Sequence, residues 1–247
     1  MLDLSPIKKY SMRILTLLVF LLVLSTVKAQ DLSTFFQESD RFFEQYVSNG
    51  LVDYSAIAQE PDRLNALMKL AKNIRVSPNE QAHYQAFWIN TYNLAVIKGI
   101  ITHYPVNSPL KVNGFFDTIT YDVGGKNITL NDIENKQLRA QFPEEARFHF
   151  VLVCAGLGCP PIINQAYLPD TLESQLQTQT QLALNDPEFI RTKGKRVQLS
   201  QIFEWYKEDF VRNGTVIQYI NRFRKNPIPE KAKVSYYPYD WTLNQQN

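Results

Sequence analysis

PNEQAHYQAFWINTYNLAVIKGIITH, residues 78–103, is the longest helical pattern in the chain, and the placement of its apolar side chains decides the fold. Phe87, Trp88, Ile89, Leu94, Val96 and Ile97 surround the axis instead of keeping to one stripe, which marks a helix buried on most sides. The spacing predicts a central helix that Pro105 stops, because a residue before proline is pushed out of the helical region. His83, Ala86, Asn90, Asn93 and Ile97 share one face of it at three- and four-residue spacing. A buried amide without a partner costs about 1 to 3 kcal/mol. Asn90 and Asn93 must therefore bond loop backbone or orient a histidine or a substrate amide.

Outward from this helix the pattern is mixed. Residues 32–47 carry Phe35, Phe36, Phe42, Phe43 and Tyr46 at helical spacing before Gly50, and residues 62–71 form a second helix. Residues 119–123 and 127–130 flank Gly124-Gly125-Lys126, a hairpin signal because glycine tolerates the positive φ of a tight turn. Asn131 with Glu134 three residues on reads as a capping box opening a helix through Leu138. Residues 148–153 read as an apolar strand. Helices over 172–184, 201–210 and 216–224, a strand over 196–199 and an extended aromatic tail over 234–241 complete the chain. Few strands and several helices predict a helix-rich α+β domain over residues 30–247, with a small, mostly antiparallel sheet.

The first 29 residues are expected to be a signal peptide. Lys8, Lys9 and Arg13 precede the apolar run 14–24, too short for the roughly 20 residues of a spanning helix, and Val27-Lys28-Ala29 offers a cleavage site before Gln30. The expected location is periplasmic or extracellular, with no membrane span left after cleavage. Removing this segment takes away four of the 26 basic and one of the 24 acidic side chains and turns the formal charge from +2 to −1. A near-neutral chain offers no footprint for nucleic acid. No phosphate loop or dinucleotide glycine fingerprint is present, so no cofactor is expected.

Both cysteines lie in residues 148–160, FHFVLVCAGLGCP, with one of three histidines. Two readings stay open. In the first, Cys154 or Cys159 is a nucleophile and the amides of Gly156-Leu157-Gly158 stabilise an oxyanion, giving an exported thiol-dependent hydrolase or transferase acting on amide bonds. In the second, a Cys154–Cys159 disulfide closes a turn in a non-enzymatic binding or structural domain, as an oxidising compartment permits. The first needs a base. On a strand, His149 and Cys154 lie about 16 Å apart at ~3.3 Å per residue and on opposite faces, which favours a packed His149 over a catalytic one and leaves His149 or His83 as the base of the first reading. No two histidines have metal-ligand spacing, so no metal is expected.

Several of these segments together resemble the domain of unknown function numbered 547. They are AFWINTYN (86–93), LNDIE (130–134) with Leu138-Arg139, RFHF (147–150) through Cys154 to Cys159-Pro160, and further pieces at Trp205-Tyr206, Asp209-Phe210 and Tyr239-Asp240-Trp241. The similarity spans about residues 81–244. It implies candidate positions but no reaction: Asn90, Tyr92, Asn93, Glu134, Arg139, His149, Cys154, Cys159 and Asp240. The resemblance implies a family found in exported bacterial proteins and also in plant and animal ones, which agrees with the signal pattern. Glu134 and Arg139, about 500° apart on an α-helix, are expected to diverge. Asp240 is expected to cap a turn. A small-molecule or peptide-like ligand is the expected partner.

Overall fold

Helix α4 (Gln81–His103) is the axis of the fold, with every residue from Tyr84 to Ile97 buried. A computed structural model describes residues 30–246; the expected signal segment, residues 1–29, lies outside the described residues. The helix ends where Tyr104, ahead of Pro105, turns extended. Helix α1 (residues 30–46) packs Phe35 on Phe87 with ring centroids 5.2 Å apart. A two-residue pairing of β1 (Val47–Ser48) with β2 (Leu51–Val52) leads to α2 (Tyr54–Gln59) and α3 (Asp62–Asn73).

The glycine hairpin forms as expected, from β3 (Thr120–Val123) and β4 (Lys126–Thr129). Gly124 and Gly125 have φ of +60° and +72°, the primed turn whose twist suits a hairpin. Their amides donate to the carbonyls of Ala71 and Lys72, tying the turn to α3. The next helix, α5 (Leu130–Asp132), is capped by the Thr129 hydroxyl and not by Asn131. It continues as a π-helical turn, Ile133–Arg139, in which the Ala140 amide donates to the Asn135 carbonyl five residues back.

The apolar run after Pro143 is not a strand. Residues Ala146–Phe150 form a 3-10 turn, and Phe148, His149, Phe150 and Val151 are all buried. Phe148, Phe150, Val151, Leu152 and Val153 are buried alike, so no alternation distinguishes a strand from a tight helix. Asn93 supplies the backbone partners that a neighbouring strand would: its amide donates to the Val151 carbonyl at 3.0 Å and accepts from the Val153 amide at 2.9 Å.

Helix α6 (Leu172–Asn185) leads to a three-stranded sheet of β5 (Ile190–Lys193), β6 (Arg196–Ser200) and β7 (Lys233–Tyr237). The β5–β6 pair is antiparallel and β6–β7 parallel. Three short helices, α7 (Ile202–Trp205), α8 (Lys207–Val211) and α9 (Val216–Asn221), make the crossover, so the helix expected over 201–210 is broken at Tyr206. After β7 the chain returns across the molecule, where Asn244 donates its amide to Ala155 and accepts from the Val52 amide. The buried apolar side chains form one cluster, and the fold is helix-rich α+β with small, mostly antiparallel sheets. Among the described residues no helix is long and apolar enough to cross a membrane.

Candidate functional site

A cavity of about 290 Å³ opens where α4, the π-helical turn, the 3-10 turn, α7 and the C-terminal segment converge. Tyr92 comes from α4, Asn131 and Glu134 from the turn after the hairpin, His149 and Cys154 from the apolar run, and Tyr206 from the break between α7 and α8. Phe116, Trp205, Tyr239 and Trp241 supply the aromatic side. Trp205 and Trp241 are stacked at 6.0 Å, and Tyr239 lies 4.7 Å from Trp241 and 5.0 Å from Trp205 between ring centroids.

Behind the opposite wall lies a charged array. His149 Nε2 is 2.8 Å from Asp209 Oδ2, and the same oxygen accepts from Arg139 Nε at 2.7 Å. The imidazole is sandwiched against Tyr206 at 4.1 Å, and its Nδ1 is 4.0 Å from Glu134 Oε1. Burial acts to raise the Asp209 carboxyl, but the hydrogen bonds from His149 and Arg139 outweigh it and hold the group well below the usual carboxylate range. Burial, followed by the charge of Glu134, pushes the Tyr92 and Tyr206 hydroxyls upward, so both stay protonated. The π-helical turn explains how Glu134 and Arg139 flank one histidine–aspartate pair. An α-helix would separate positions five apart, whereas i→i+5 bonding stacks them on one face. Arg139 bonds Asp209 while Glu134 faces the imidazole from its other side, so the two do not diverge.

The strand argument about His149 fails with the strand. The 3-10 turn brings His149 and Cys154 to the wall of the same cavity. His149 is nonetheless packed, buried between Tyr206 and Phe210 with Nε2 engaged. The sulfurs of Cys154 and Cys159 are at disulfide distance, with Cα atoms 6.4 Å apart. The loop between them is not an oxyanion cradle. The Leu157 amide donates to the Thr242 carbonyl and the Gly158 amide to the Asp240 carbonyl, both at 2.8 Å. A Cβ on Gly158 would come within 2.9 Å of the Asp240 amide and the Tyr239 ring, so glycine there permits the close approach of the C-terminal segment.

The remaining candidates are dispersed. His83 is exposed on the first turn of α4 and lines no wall with the cysteines. Asn90 and Asn93 bond loop backbone, Asn90 through the amide and carbonyl of Tyr167. Asp240 caps a turn, accepting from the Thr242 amide at 2.9 Å. Among the described residues no group of His, Cys, Asp or Glu is placed to hold a metal ion. Asp209, Tyr206 and Tyr239 were not among the candidates read from composition and spacing. The available signal was their place in the family-like pieces Trp205-Tyr206, Asp209-Phe210 and Tyr239-Asp240-Trp241.

No curated protein and no solved structure matches the chain. Residues 76–182 match the model of a family described as Protein of unknown function, DUF547, a stretch running from the start of α4 through most of α6. It holds Tyr92, Asn131, Glu134, His149 and both cysteines and ends before Asp209, Tyr239 and Trp241. Over that stretch the chain is similar to the DUF547 family.

Proposed function

We propose that the chain is an exported binding domain whose cavity takes a cationic group, of side-chain size, from a small molecule or peptide-like ligand. The observation that carries this reading is Glu134, a carboxylate set in a cavity whose other wall is Phe116, Trp205, Tyr239 and Trp241. Aromatic faces carry negative potential and attract cations, by roughly 0.5 to 2 kcal/mol per ring. The basic groups nearby are already committed to Asp209, Arg139 through Nε and His149 through Nε2, and the Tyr206 hydroxyl that hydrogen-bonds Glu134 brings it no charge. A ligand ammonium would both stack on the rings and compensate the buried carboxylate. The expected thiol-dependent hydrolase has less support, because the two sulfurs are paired and the loop amides of Leu157 and Gly158 are spent on the C-terminal segment.

Calorimetric titration of the mature chain with tetramethylammonium and with Nα-acetyl-lysine methylamide tests this, using the norleucine analogue as the neutral control. The cations are expected to bind and the neutral analogue to bind at least tenfold more weakly. Glu134→Gln and Trp241→Ala are each expected to lower cation affinity about tenfold, the size of one lost electrostatic contact. Equal affinity for the neutral analogue, or unaltered affinity in a folded Glu134→Gln protein, overturns the reading.

A further inference from the structure

We propose that the Cys154–Cys159 pair is a thiol–disulfide exchange centre, in which Cys154 is the sulfur attacked from the cavity and Cys159 the sulfur that leaves. The two sulfurs differ in access. Cys154 is half-buried and lines the cavity, whereas Cys159 is buried and borders the Pro160–Pro161 side of the loop. They also differ in hydrogen bonding. Cys159 Sγ accepts from the Cys154 backbone amide at 3.0 Å and from the Tyr239 hydroxyl at 2.9 Å. In the oxidised pair neither sulfur carries a proton, so the tyrosine is the donor in both of its sulfur contacts, the second being Cys154 Sγ at 3.0 Å.

Two donors converging on one sulfur stabilise negative charge there, and a thiol whose thiolate is stabilised leaves faster. Burial pushes the Tyr239 hydroxyl upward, so it keeps its proton and remains a donor. Its position is fixed from three sides: the rings of Trp205 and Trp241, and the Gln201 side chain accepting its backbone amide at 2.9 Å.

The reaction balances with a dithiol reductant as co-reactant. Its thiolate attacks Cys154 Sγ; the sulfur–sulfur bond breaks and Cys159 departs as a thiolate, held by the Cys154 amide and the Tyr239 hydroxyl until solvent protonates it. The second thiol of the reductant then attacks its own sulfur in the mixed disulfide and releases Cys154. The protein gains two electrons and two protons, and the reductant becomes a disulfide. This inference does not depend on what the cavity binds.

The test is reduction of the folded mature chain by dithiothreitol, followed by maleimide capture and intact mass, with near-ultraviolet circular dichroism recorded alongside. The pair is expected to be reduced while the fold persists. Tyr239→Phe is expected to slow this reduction about tenfold, the loss of one hydrogen bond to a charged sulfur. With oxidised glutathione as probe, Cys159→Ser is expected to acquire one glutathione at Cys154 at least tenfold faster than Cys154→Ser acquires it at Cys159. Reduction only in step with unfolding overturns the proposal, as does equal reactivity of the two single-thiol proteins. The native-state reduction decides the matter if either serine variant fails to fold.

Discussion

Asp209 holds one oxygen against two donors, His149 Nε2 and Arg139 Nε, and its side chain is only 12% exposed. Its folded carboxyl titrates below the unfolded one, so the stability it contributes is present above the unfolded value near pH 4 and is lost as pH falls toward the folded value. Asp209→Asn is expected to cost about 2 kcal/mol at neutral pH, as two charge-assisted hydrogen bonds are weakened. It should also remove part of the acid-limb slope that urea melts of the parent chain show below pH 4. If both proteins lose stability in parallel there, Asp209 does not carry the linkage. This residue was not found by reading composition, because its significance lies in partners 60 and 70 positions away.

The two glycine turns separate backbone cost from packing at the level of elements. Gly124, in the β3–β4 turn, and Gly194, in the β5–β6 turn, share φ near +60°. A Cβ on Gly194 would meet nothing, whereas one on Gly124 would collide with the Trp88 indole. Gly194→Ala is expected to cost about 1 kcal/mol for the left-handed backbone. Gly124→Ala should cost about 1 to 3 kcal/mol more for overpacking, read as the difference between denaturation midpoints at equal slope. Equal costs would mean that α4 yields to the turn. The first of these hairpins and the central helix were legible because glycine pairs and all-round apolarity are local signals. The 3-10 turn at Ala146–Phe150 was not, since Asn93 replaces a ladder partner from 58 residues away. The π-helical turn was equally hidden: its composition is that of an α-helix, and only hydrogen-bond offset distinguishes it.

Across the whole molecule, the C-terminal segment fastens parts that are distant in sequence. Asn244 is buried; its side chain accepts from the Tyr54 hydroxyl at 2.9 Å and its amide reaches Ala155. Gln246 adds bonds to the carbonyls of Tyr46 and Leu51. Asn244→Ala orphans the Tyr54 hydroxyl and is expected to cost about 1 to 3 kcal/mol in urea unfolding. It should also speed hydrogen exchange of the Leu157 and Gly158 amides, which the same segment protects; unaltered exchange would show that docking does not rest on Asn244. The cavity residues inside the family match were accessible to motif reading, but Tyr239 and Trp241 acquire a role only when this segment folds back.

That return has a temporal consequence. During synthesis the cysteine loop leaves the ribosome about 80 residues before Tyr239, the residue that contacts both sulfurs. Until Tyr239 folds back, the two thiols stand beside an unfinished wall, open to oxidants and to wrong partners. The segment that completes the site therefore also ends that exposure, so the order of the chain sets when the sulfurs come under the control of the fold.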